Sequence, residues 1–121
     1  MLTKERADAF AHEWVDAWNA RDLERVLSHW ADDCVFTSPL VAVLMRDPSG
    51  TVRGKAALRA YWERGLAASP GLHFDLHTVF LGHASVVLGY RNHRGQSCAE
   101  EIELRDDGLA VRGVAHYTSA T

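Results

Sequence analysis

The chain reads as an α+β domain whose helices lie on one face of a curved antiparallel sheet. Apolar residues recur with helical spacing up to residue 30 and again over residues 55–68. From Leu72 onward the period changes to two, and Arg94-Gly95 and Asp106-Asp107-Gly108 are turns of the kind that join neighbouring antiparallel strands. At 121 residues one domain with its own core is expected.

Thr3 can cap a first helix that runs to about Asn19, with Phe10, Ala11, Trp14, Val15 and Trp18 along one stripe. Asp22 can cap a second, on which Leu23, Val26, Leu27 and Trp30 share a side. Cys34 to Ser38 reads as a strand closed by Pro39, and Leu40 to Met45 as a further short strand. Arg46 to Gly50 is a loop. After Gly54 a third helix, about Lys55 to Ala68, carries Ala57, Leu58, Tyr61, Trp62 and Leu66 inward and stops at Ser69-Pro70-Gly71.

In the β-rich half, Phe74, Leu76, Thr78 and Phe80 alternate with His73, Asp75, His77 and Val79. Three more strands follow, Ala84–Arg91, Ser97–Arg105 and Leu109–Ser119. The sum is three helices on the concave side of a curved sheet.

Composition narrows the function classes. A net charge of −3 and a pI near 6.1 lack the basic face a nucleic-acid binder needs. No apolar run reaches the length of a membrane span, and the charged start Met1 to Arg6 has no apolar signal-peptide region, so a cytoplasmic protein is expected. Cys34 and Cys98 match no zinc or redox spacing and read as small buried hydrophobes. His73, Asp75 and His77 share a strand face but stand too far apart for a metal centre, and that face reads as the outer one. No phosphate loop, dinucleotide fingerprint or nucleophile elbow is present, so neither metal nor cofactor is expected.

Candidate chemistry centres on Glu100. It shares a strand face with Cys98, Ile102 and Leu104, where burial would raise its pKa and make it a tuned acid or base. His116 alternates with Val114 and is expected to point inward as a second proton carrier. Tyr90 and Asn92 share a face with Val86 and Leu88 and, with Tyr61, could orient a carbonyl or hydroxyl ligand. Trp14 and Trp18 offer aromatic walls, and Ser38 is expected at the pocket mouth.

Trp18-Asn19-Ala20-Arg21-Asp22-Leu23, Trp30-Ala31-Asp32-Asp33, Thr37-Ser38-Pro39, the Gly54-Lys55-Ala56-Ala57-Leu58 helix start and the Asp107-Gly108-Leu109 hairpin follow one another in a familiar order. In them the chain resembles the nuclear transport factor 2-like (NTF2-like) superfamily, in its SnoaL-like and ketosteroid-isomerase-like branch. The resemblance implies a cystatin-like cone with a deep apolar pocket, and a homodimer formed through the sheet's outer face. It also implies a small-molecule ligand and isomerase-, cyclase- or dehydratase-type chemistry. A ketosteroid isomerase uses a carboxylate base before a proline, a helix tyrosine and a protonated strand acid. Here those positions fall at Ser38, Trp14 and Glu100, so two of the three roles are missing and that mechanism is not expected.

Overall fold

Ten elements succeed one another: α1 (Lys4–Asn19), α2 (Leu23–Leu27), β1 (Trp30–Thr37), α3 (Pro39–Leu44), β2 (Thr51–Arg53), α4 (Lys55–Ala68), β3 (Asp75–Leu81), β4 (Ser85–Arg91), β5 (Ser97–Leu104) and β6 (Ala110–Tyr117). The computed structural model describes residues 1–118, so the expected end of the last strand at Ser119 lies outside the described residues. The strands form one sheet in the order β2-β1-β6-β5-β4-β3. All pairs are antiparallel except β1 with β6, a parallel pair between segments far apart in sequence that no turn signal announces.

The first helix forms as its pattern demands. The Thr3 side chain accepts from the Arg6 amide, and Ala7, Ala11, Trp14, Val15 and Trp18 are buried. Asn19 then does something periodicity cannot show. Its side-chain amide donates to the Phe74 carbonyl at 2.9 Å and its oxygen accepts from the Phe74 N–H at 2.8 Å, pinning the chain just ahead of β3 to α1. Two residues on, Arg21 donates to the Ser69 and Leu66 carbonyls at 2.8 Å each, satisfying groups at the end of α4. Glu13 ties α1 to α2 through both oxygens to Arg25 and through one to His29, and these contacts hold its carboxyl down at about 2.

Three expectations are corrected. The second helix stops at Leu27, and Trp30 begins β1 instead of closing that helix, because it pairs with Ala110 of β6. Leu40 to Met45 is a helix, α3, and not a strand. Ser38 accepts from the Leu40 amide and Pro39 occupies the first turn, which is a helix start that outweighs the apolar run. In β3 a bulge between Leu76 and Thr78 reverses the alternation. Leu76 and Val79 therefore pack on the core, while Phe80 is 58% exposed on the opposite face.

The core is a chain of aromatic rings. Trp18 meets Trp62 edge-on at 5.0 Å, Trp62 meets Trp30 at 5.4 Å and Phe36 at 5.6 Å, and Trp14 stacks on Phe74 at 5.4 Å. Such pairs add about 0.5–1.5 kcal/mol each beyond their burial. Both cysteines are buried and free, and burial pushes their thiols up. Among the described residues no helix is long and apolar enough to cross a membrane, and no cluster of histidine, cysteine or acidic side chains could hold a metal.

Gly113 on β6 is the tightest approach in this core. A Cβ built there would stand 2.7 Å from the rings of both Phe36 and Trp30. Gly113→Ala is expected to destabilise the fold by about 1–3 kcal/mol, lowering the melting temperature by roughly 5–10 °C. An unchanged melting temperature would show that Trp30 and Phe36 do not pack against this strand as described.

Candidate functional site

Between the sheet and helices α1, α3 and α4 lies a cavity of about 270 Å³. Trp14 and Trp18 from α1, Trp62 from α4, Phe36 from β1 and Phe74 form aromatic walls. These side chains line the space and leave it open. At the inner end sit the polar groups of Glu100, Tyr61, Tyr90 and Tyr117; at the outer end are the exposed residues Val43, Ala68, His93 and Arg94.

Glu100 is positioned by the sheet. On β5 it pairs with Leu88 on one side and Ala115 on the other, and only 5% of it is exposed. The Tyr90 hydroxyl donates to Glu100 Oε1 at 3.2 Å. Burial pushes the Glu100 carboxyl up to about 7, and the Tyr90 hydrogen bond pulls the other way without cancelling it. The phenols shift in the opposite functional sense. Burial pushes Tyr61 up to about 12 and carries Tyr90 and Tyr117 well above their ordinary value, with the Glu100 charge adding to each. Near neutral pH the tyrosines are therefore hydrogen-bond donors, and Glu100 is the group that gains and loses a proton.

Trp14 adds a second polar feature. Its Nε1–H is buried and has no hydrogen-bond partner among the described residues, on a side chain that lines the cavity. A buried N–H left unpaired costs about 1–3 kcal/mol.

Of the residues singled out from sequence, Glu100, Trp14, Trp18, Tyr61, Tyr90 and Asn92 line this one space. Asn92 is also the hinge pin of the β4–β5 turn, its Oδ1 accepting from the Arg94 and Gln96 amides at 3.0 Å. Two placements are corrected. Ser38 is not at the mouth: it is 1% exposed, caps α3, and its hydroxyl sits against the phenols of Tyr61 and Tyr117, where it opposes the upward push of burial. His116 is exposed on the outer face, opposite Ala99, and does not enter the cavity. Its neighbour Tyr117 faces inward instead. Ala110, Val111, Val114 and Ala115 make β6 apolar in both phases, so alternation there gives no parity. The position of Glu100 opposite Ala115 is the pairing that would have found Tyr117.

The raised Glu100 carboxyl makes stability depend on pH with a definite sign. Below the ordinary carboxyl value of 4.5 both folded and unfolded chains are protonated at this site, and the full stability is present. As pH rises from there to about 7, the unfolded chain ionises first and stability falls, by at most about 3 kcal/mol. Glu100→Gln is expected to remove this decline, seen as a difference in chemical-denaturation midpoint that grows between pH 4.5 and 7. Parallel pH profiles for the two proteins would show that Glu100 is solvated.

Residues 11–120 match the family described as SnoaL-like domain. A crystal structure of a SnoaL-like protein of unknown function from Burkholderia thailandensis superposes with a TM-score of 0.92 at 38% identity, covering 97% of this chain and 98% of that one. TerC co-crystallized with polyporic acid gives 0.76 at 18% identity over 93% and 91% of the two chains. An NTF2-like protein of unknown function from Mesorhizobium loti gives 0.74 at 20% over 95% and 93%. At those lower identities the likeness is one of fold. No curated protein matches the sequence. The family match over almost the whole chain, together with the shared cone, makes this protein a member of the SnoaL-like family.

Proposed function

We propose that the protein binds a small, largely apolar molecule bearing a carbonyl or hydroxyl group in this cavity, in the cytoplasm, and that Glu100 moves a proton on it. The observation that carries the reading is a buried carboxyl, pushed up to about 7, that faces an open aromatic cavity. Structural carboxyls of this kind are ordinarily paired with a cation, and the hydrogen bond recorded for Glu100 comes from a tyrosine. TerC, which shares the fold, was crystallised with an organic ligand, polyporic acid. This supports a ligand-binding cone without assigning that ligand here.

In the proposed step the ionised Glu100 takes a proton from the carbon next to the ligand carbonyl. Electron density moves onto the carbonyl oxygen, where a neutral phenol donates to it. Glu100 then returns the proton, to the same or a nearby carbon, which is isomerase-type chemistry; loss of a leaving group from the same enolate would make it a lyase. General acid–base catalysis of this kind contributes about 10²–10⁴-fold.

Proton exchange tests it before any product is known. Apolar ketones found to raise the melting temperature of the protein are incubated in heavy water, and deuterium uptake next to the carbonyl is followed by mass spectrometry. Wild type should speed uptake, and Glu100→Gln should lower that rate by at least about 100-fold while still binding the ketone. Binding with no exchange in either protein would leave a non-catalytic ligand-binding module.

The same reading includes a homodimer through the outer sheet face. What supports it is a row of Phe80, Val87, Glu101 and Val114 in register across β3 to β6, beside the small residues Gly89 and Ala99. Light scattering is expected to give twice the chain mass, and Phe80→Glu to shift the protein toward the monomer. A monomeric wild type would remove this part of the reading.

A further inference from the structure

The cavity is polarised along its length. Its inner end holds the Glu100 carboxyl and three phenols, whose environment disfavours any second negative charge. At its outer end stands Arg94, on the β4–β5 turn, exposed and with no ion pair among the described residues. Two further guanidinium groups donate to main-chain carbonyls of residues that line the cavity: Arg64 to Leu44, and Arg21 to Leu66 and Ser69. Glu100 is the one acidic residue among those lining the cavity, and it lies at the far end. Four residue steps of extended chain separate Glu100 on β5 from Gln96 at the turn, roughly 13 Å. A chain with a net charge of −3 thus sets a cation, Arg94, at the outer end of its own pocket.

We infer that the molecule this cavity takes is an organic acid: a flat apolar body whose carbonyl enters toward Glu100 and Trp14 and whose anionic group stays at the mouth on Arg94. Arg94 then sets both specificity and orientation. A carboxylate inserted first would meet the Glu100 charge in a desolvated site, where like charges repel strongly, so the acid enters tail-last. An arginine suits the role because its planar fork offers paired donors to a carboxylate. The inference rests on the reading of the cavity as a ligand site, and the test separates the two.

Two fluorescent probes of the same body are compared: anilinonaphthalene sulfonate, an anion, and N-phenylnaphthylamine, its neutral counterpart. A blocking variant comes from Gly65. It lies one turn beyond Tyr61 on α4 and lines the cavity, and a Cβ built there meets nothing within 4 Å, so Gly65→Phe adds its ring on the cavity side of α4. Both probes should bind wild type, and Gly65→Phe should weaken both. Arg94→Gln should weaken the sulfonate about fivefold and leave the neutral probe unchanged, with the difference shrinking in high salt. If Gly65→Phe weakens both probes but Arg94→Gln leaves their affinity ratio unaltered, the cavity binds ligands and the anion hook is wrong. If neither probe binds, or Gly65→Phe affects neither, the ligand-site reading falls and the inference falls with it.

Discussion

Holding helices over a sheet while leaving space beneath them is the constraint on which this fold depends. Packing alone would drive α1 and α4 down until their tryptophans met the strands, since voids forfeit contact energy. Two polar side chains at the end of α1 work against that collapse. Asn19 grips the main chain at Phe74 through both of its amide atoms, and Arg21 grips the end of α4 at Leu66 and Ser69. These bonds fix where α1 ends relative to the start of β3 and the end of α4, which are the walls of the cavity. The rings of Trp14, Trp18, Trp62 and Phe74 then pack on one another around the space, stacked, tilted and edge-on in turn.

Several locally unfavourable features converge on that one space. Among the described residues Glu100 is a carboxyl without a cation and Trp14 carries an indole N–H without an acceptor, and Gly65 occupies the interior of a helix where alanine would be better by about 1 kcal/mol. Elsewhere, caps on α1, α2 and α3 are satisfied, and Glu13, Arg25 and His29 are paired on the surface. Departures from local consistency collect where a protein must do something other than fold. Here the Glu100 and Trp14 side chains and Gly65 all line one cavity.

How much of this could be read from the residues differs by element, for physical reasons. Helices α1 and α4 and the inward face of β5 were legible because one face of each is buried along its whole length, so the period survives in the sequence. Glu100 followed from β5 directly. In β3 a single bulge inverted the alternation, and no residue type marks a bulge reliably enough to place it. Residues 40–45 are apolar and short, and the deciding information was the Ser38 cap and Pro39 ahead of them. His116 failed as a site residue because β6 is apolar on both faces: Gly113 and Ala115 pack inward, while Val114 faces out beside Glu101.

The displacement of His116 changes the chemistry that this site can be asked to do. A pair of proton carriers could take a proton on one side of a ligand and deliver another elsewhere. One carboxyl cannot. Under the proposed function Glu100 both removes and returns the proton, because the phenols around it are shifted too high to act as bases near neutral pH. The proton then stays on the face of the ligand that Glu100 occupies, and it can move only between carbons within reach of one side chain held by two neighbouring strands. Such a site suits migration of a double bond along a conjugated carbonyl compound better than reactions needing an acid and a base on opposite faces. Under the same proposal orientation decides turnover: with a single proton carrier, a ligand bound in reverse presents the wrong carbon and does nothing.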